Sequence, residues 1–244
     1  MPFSPKPPTP LLMRPHGLSR QHTITLGGVT FIPDLSGALF LRDEATLLVS
    51  DLHLEHGTSL ARRGVHVPPF DTYATLAQLE QVLTATQARR LILLGDSFHD
   101  DVAHAEVADD VRERLTAITA RVDTVWISGN HDPVAPRELG GTSADAVMIG
   151  SITLRHIPGD IAGGGCEISG HLHPGARIVQ RGRSVHGKCF AADGRRLIMP
   201  AFGAYTGGLP VSSRAFNGLF DDTAAHVWMI GRAALHRFAM RRVR

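Results

Sequence analysis

TLLVSDLH, residues 46–53, decides the fold: a short, mostly apolar run passes through Ser50 and stops at Asp51 and His53. Three further segments repeat the arrangement. LILLGD (91–96) stops at Asp96, TVWISGNHD (124–132) at Asn130, His131 and Asp132, and CEISGHLH (166–173) at His171 and His173. The runs are short, the first three are rich in Leu, Ile or Val, and each of the four reads as a buried strand. Polar side chains with metal-binding chemistry are thus delivered at the carboxyl ends of strands, where ligands of open α/β sheets gather.

The stretches between them carry a different period. Leu76, Leu79, Val82 and Leu83 recur at helical spacing within 71–86, as do Val107, Val111, Leu115 and Ile118 within about 105–120. Upstream, residues 23–26 and 29–32 flank Gly27-Gly28 as a hairpin, followed by a strand at 38–41. From Ile152 onward the pattern is strands and turns, punctuated by Gly163-Gly164-Gly165, Gly182 and Asp193-Gly194. The expected fold class is α/β, with two packed sheets and helices outside. Pro2, Pro5, Pro7, Pro8, Pro10 and Pro15 deny residues 1–20 regular hydrogen bonding. That stretch is expected to be a disordered tail, and 21–244 one catalytic domain.

The residue types specify the chemistry. Two divalent ions can clamp the attacking and leaving oxygens of a displacement at phosphorus, and their mutual repulsion calls for a bridging anion. Asp96 suits the bridge. Asp51, His53, Asn130, His171 and His173 complete a set of carboxylate, amide and imidazole donors without thiolate. If the strand-end segments stay extended, residues i and i+2 face one way. Asp51 then pairs with His53 and His171 with His173, while His131, adjacent to Asn130, points elsewhere and is free for proton transfer or charge stabilisation.

SDLHLEHG, GDSFHD, SGNHDP and SGHLHP resemble, in order, the successive motifs of the calcineurin-like metallophosphoesterase superfamily. The resemblance implies a four-layer αββα sandwich. It also implies a ligand histidine between the last two motifs, and His156 is the one histidine between His131 and His171. Site one would comprise Asp51, His53, Asp96 and His173; site two would comprise Asp96, Asn130, His156 and His171. His131 would be catalytic. Asp100 would orient it, or else cap a helix; Asp132 reads as a loop stabiliser, and His99 is placed to touch a phosphate. GDSFHD, the HIPG segment and PAFGAYTGG (200–208) further resemble the bacterial ligase-associated DNA damage response endonuclease family. That likeness implies hydrolysis of DNA in a repair setting shared with a DNA ligase and a helicase. His56 departs from it, standing where that family's pattern has Lys.

Formal net charge is only +2, too small to announce nucleic-acid binding alone. All but Lys6 and Lys188 of the 25 basic residues are Arg, a skew that GC-rich coding accounts for at least as well as phosphate recognition. Arg177, Arg181, Arg183 and Lys188 alternate along a strand-like stretch and could line the approach to the metals, against the plainer reading of a solvated face. At 6% aromatic content, a base-stacking platform is not indicated. Two cysteines, Cys166 and Cys189, and the absence of a signal-peptide core or membrane span point to a cytoplasmic protein. The metals are expected to be Mn²⁺, with Mg²⁺, Fe²⁺, Zn²⁺ or Co²⁺ also compatible with the donors. The rival expectations are a phosphoesterase for small nucleotides, small diesters or phosphoproteins, and a non-catalytic scaffold. No ligand position is replaced, which counts against the scaffold.

Overall fold

A computed structural model describes residues 22–68, 70–100, 103, 107–132, 137–161, 163–180 and 182–243. The expected tail at 1–20 and the candidate Arg181 lie outside these residues.

The first sheet begins antiparallel. β1 (Ile24–Leu26), β2 (Val29–Pro33), β3 (Leu39–Leu41) and β4 (Thr46–Val49) follow one another by tight connections. It then turns parallel through β5 (Arg90–Leu94), β6 (Asp123–Ile127) and β7 (Thr142–Ala144). Three of the four motif strands therefore lie side by side and point the same way. Between them run α1 (His56–Arg62), α2 (Asp71–Thr86) and α3 (Asp109–Arg121). Asp109 and Asp110 in the first turn of α3 complement the positive end of the helix dipole, favouring a start there.

The second sheet contains β8 (Val147–Ile149), β9 (Ile152–Leu154), β10 (Cys166–Ser169), β11 (Pro174–Gln180), β12 (Arg183–Ala192), β13 (Arg196–Ile198) and β14 (Leu209–Pro210). β15 (His226–Ile230) and β16 (Leu235–Ala239) extend it from β12. β9, β10 and β13 are parallel, so the fourth motif leaves this sheet in the same sense as the chain segment that carries His156.

Side-chain alternation builds the layers. Leu48, Ile92, Leu94, Val125 and Ile127 face inward onto Ile152, Leu154, Ile168 and Leu197 of the other sheet. Leu47, Val49, Leu91, Leu93 and Trp126 face outward onto Leu76, Leu79, Val82 and Leu83 of α2 and Val111, Leu115 and Ile118 of α3. Both faces of β4, β5 and β6 are thus buried, which is why these strands read as continuous apolar runs. The outer face of the second sheet, including Cys189, Ala191, Val227 and Met229, is covered by Val211, Phe216, Met240 and Val243. Among the described residues this outermost layer consists of loops and short 3₁₀ turns. The two-sheet metallophosphoesterase sandwich is present, and the carboxyl ends of its parallel strands meet at one edge.

Candidate metal centre

The motif residues occupy the loops leaving β4, β5, β6 and β10, and His156 follows β9. These loops are not extended. Asp51, His53, Asp96, His171 and His173 have φ of 55°, 45°, 47°, 66° and 45°. A run of non-glycine residues in this sparsely populated region is a strained arrangement of the kind found at functional sites. It overturns the extended i, i+2 geometry: Asp51 and His53 do share one group, but His171 and His173 enter different ones.

Asp51, His53 and His173 converge as one potential cation site, and Asp96, His156 and His171 as another. In the first, His173 Nε2 lies 3.0 Å from Asp51 Oδ1 and 3.3 Å from His53 Nε2. In the second, His156 Nε2 lies 3.1 Å from Asp96 Oδ2, 2.9 Å from Asn130 Oδ1 and 3.3 Å from His171 Nδ1. Asp96 Oδ2 also sits 3.9 Å from His53 Nε2. One carboxylate oxygen therefore faces both groups, while its partner Oδ1 accepts the His131 backbone N–H at 2.9 Å.

The donor set fits two divalent cations. His53 and His173 aim ring nitrogens at one another, and His53 Nδ1 is buried without a hydrogen-bond partner. Such an orphaned imidazole is costly unless the ring has another task. His156 Nδ1 donates to the Leu94 carbonyl at 2.9 Å, which fixes the tautomer and leaves Nε2 as a ligand atom. Asp51 accepts the Ser50 hydroxyl and the His171 backbone N–H, so its carboxylate is held from behind.

The electrostatics are uneven across the two groups. Burial drives His53 down to about 3 and keeps it neutral. Burial also opposes charge on His156, but the hydrogen bond and charge of Asp96, together with Asp51, outweigh it and raise His156 to about 9. Burial likewise acts to raise Asp96, yet the His156 contact prevails and holds it at about 2. A proton and a cation thus compete for His156 Nε2.

Close packing sets the loop geometry. Gly95 has φ +74°, and a Cβ there would fall 2.6 Å from the His156 ring; at Gly129 it would fall 2.2 Å from the Asp96 nitrogen. Asp132 Oδ2 accepts the Ser97 and Phe98 backbone N–H groups at 2.8 and 3.0 Å. It ties the third motif loop to the second, and burial raises its carboxyl to about 7.

His131 is half exposed at the mouth, its Nε2 4.0 Å from Asp96 Oδ2 and outside both groups. His99 stacks on His56 with ring centroids 4.0 Å apart. Asp100 is engaged by Arg62 and Ser59, both on α1. The basic stretch after His173 is a hairpin of β11 and β12 rather than one strand. Its register pairs Arg177 with His186 and Arg183 with Gln180, so alternation turns Arg177 and Arg183 to opposite faces. Lys188 does not line an approach: its ammonium donates to the Ala201 and Gly203 carbonyls at 2.8 Å and to Thr206 Oγ1 at 2.9 Å. That loop in turn donates Phe202 and Gly203 N–H groups to Ser50 and Asp51, bracing the first motif. Sequence reasoning missed this role of Lys188, and also Ser50, because neither belongs to a motif of ligand chemistry.

The nuclease MPE of Pseudomonas putida is similar in structure, at 25% identity and a TM-score of 0.69, over 88% of this chain and 99% of that one. YfcE, a phosphoesterase from E. coli, aligns over 80% of this chain and 98% of that one, at 15% identity and a TM-score of 0.40. No curated protein sequence matches. Residues 45–194, which carry every convergent ligand described above, match the calcineurin-like phosphoesterase family, and the chain belongs to that family.

Proposed function

We propose that the protein is a binuclear metal-dependent phosphodiesterase that cleaves DNA as an endonuclease. The observation that carries the two-ion reading is Asp96 Oδ2, facing His53 Nε2 on one side and His156 Nε2 on the other. Divalent ions held there, for which Mn²⁺ suits the mixed oxygen and nitrogen donors, would supply the charge that activates water and balances the phosphoryl oxygens. Asp51, His53 and His173 would hold one ion, and His156, His171 and Asn130 the other, with Asp96 shared. The His131 ring, poised at the mouth, protonates the leaving oxygen or stabilises its charge. A polymer substrate is supported by the likeness to a nuclease over almost the whole of both chains.

The test is turnover of the Mn²⁺-loaded protein on single-stranded DNA, duplex DNA, a cyclic nucleotide and a phosphopeptide. Internal cleavage of DNA in preference to the others is expected. Efficient hydrolysis of the cyclic nucleotide or phosphopeptide with intact DNA would replace this reading by a small-substrate or phosphoprotein esterase.

A further inference from the structure

Three imidazoles outside the two ligand groups form a row. His99 and His131 lie 5.6 Å apart, inclined by only 20°, and His56 and His99 lie 4.0 Å apart, inclined by 13°. The row starts at the metal centre, since His53 is 5.4 Å from His131 and 5.3 Å from His99. It runs outward to His56, the first residue of α1.

The near-parallel stack constrains the chemistry. Two imidazolium rings at 4.0 Å would place like charges face to face, so the His56–His99 pair is stable when neutral. Nδ1 of each ring is buried without a hydrogen-bond partner. A buried N–H lacking an acceptor is costlier than an idle lone pair, which assigns the ring proton to Nε2 in both. Neither Nε2 is bonded among the described residues, so each is an available donor directed away from the buried edge.

Neutral donors orient an anion but do not supply charge, and Arg63 does. It stands seven residues beyond His56, as the cap residue that ends α1. Its charge acts on both His56 and His99. Arg63 is exposed and has no ion-pair partner among the described residues, whereas the adjacent Arg62 is engaged by Asp100. Among the described residues the β11–β12 hairpin offers no such alignment, because Arg177 and Arg183 face opposite ways and Arg177 is already bonded to Ser184 at 2.7 Å.

We propose that His99 and His56, ending at Arg63, form a second phosphate subsite, which holds the phosphodiester next along the strand from the one cleaved. This rests on the nucleic-acid reading above and deepens it. The substrate is then a strand with at least one phosphate beside the scissile linkage, held by two imidazole N–H donors and one guanidinium. Diesters with a single phosphate leave the subsite unused.

The experiment uses thymidine trinucleotides whose second linkage, on the 5′ or the 3′ side of the cleavable one, is either a phosphate or an uncharged methylphosphonate. Rates for the same cleavable linkage are compared in the Mn²⁺-loaded parent, in His56→Gln, in Arg63→Ala and in the double variant, each with thermal unfolding recorded. The parent is expected to lose about tenfold or more in kcat/KM when the charge on one side is removed, the scale of one charge-assisted contact. The double variant should cut both substrates at nearly equal rates, while each single variant retains part of the preference. A parent indifferent to the neutral linkage on either side would overturn the subsite and leave the nuclease reading standing. Preference retained in full by the double variant would do the same, placing the contact elsewhere. Failure of the parent to cut any trinucleotide or longer DNA, with a chromogenic diester hydrolysed, would overturn both.

Discussion

Asp96 Oδ2 approaches His156 Nε2 at 3.1 Å, and the same oxygen is also open toward His53. The two ligand groups are thus joined through one atom rather than merely adjacent. Oδ1 is committed to the His131 backbone N–H, so the carboxylate cannot rotate freely to serve one side alone.

Asp96→Ala should therefore lower metal content at both sites, because two cations would face each other without a shared anion. Elemental analysis of the folded variant and diester turnover test this together. The expected result is fewer than two ions and no measurable activity; two tightly held ions with near-parental turnover would refute the bridge.

Substitutions at His131 and His156 test the proposed division between catalyst and ligand. His131→Asn removes a half-exposed ring that lies outside both groups, so two ions should remain bound while kcat falls by about 10²–10⁴. His156→Asn removes the nitrogen around which Asp96, Asn130 and His171 converge, and should weaken one ion. Metal loss on substituting His131 but not His156 would exchange their roles.

The candidate donors Asp51, His53, Asp96, Asn130, His171 and His173 were legible because an apolar run and its polar terminus are neighbours in sequence, whereas His156 was reached only through the family resemblance. The parallel order of β4, β5 and β6 follows from the helices between them. What was not legible depends on contacts between distant segments. Nothing local announces that Lys188 braces the loop behind Asp51, or that His56 stacks on His99. The left-handed backbone at His171 and His173 sends these two i, i+2 residues to different candidate groups, against the extended expectation. The hairpin turn near Gly182 similarly split an arginine series that a single strand would have aligned.

The raised His156 gives a pH dependence with a definite sign. Its folded value of about 9 exceeds the ordinary 6.5, so its protonation stabilises the metal-free fold fully below 6.5 and ceases to do so as pH rises through about 9. A cation must displace that proton, so affinity at the second group should increase with pH between these limits. Calorimetric titration of chelator-treated protein with Mn²⁺ at pH 7, in two buffers of different ionisation enthalpy, should reveal release of about one proton. Absence of any buffer dependence would contradict the assignment of the proton to His156.

Glu167 governs the segment that presents His156, and its substitution should be felt at the metal centre. The side chain is 1% exposed; one oxygen is ion-paired with Arg196 Nε, itself 7% exposed, at 3.1 Å, and the other accepts Arg155 Nε and the Gly159 backbone N–H. Arg155 and Gly159 flank His156, so the pair clamps both ends of its loop to β10 and β13. Glu167→Gln keeps the shape but leaves Arg196 buried without a counter-charge, a defect worth about 3–5 kcal/mol. Chemical denaturation should show that loss. Direct Mn²⁺ titration at a temperature where the variant is folded should show weaker binding at the group containing His156, with the group of Asp51, His53 and His173 less affected. A variant as stable as the parent, binding both ions with parental affinity, would mean that the loop is held by its backbone contacts alone, namely Arg155 N–H to the Ile168 carbonyl and Gly170 N–H to the His156 carbonyl.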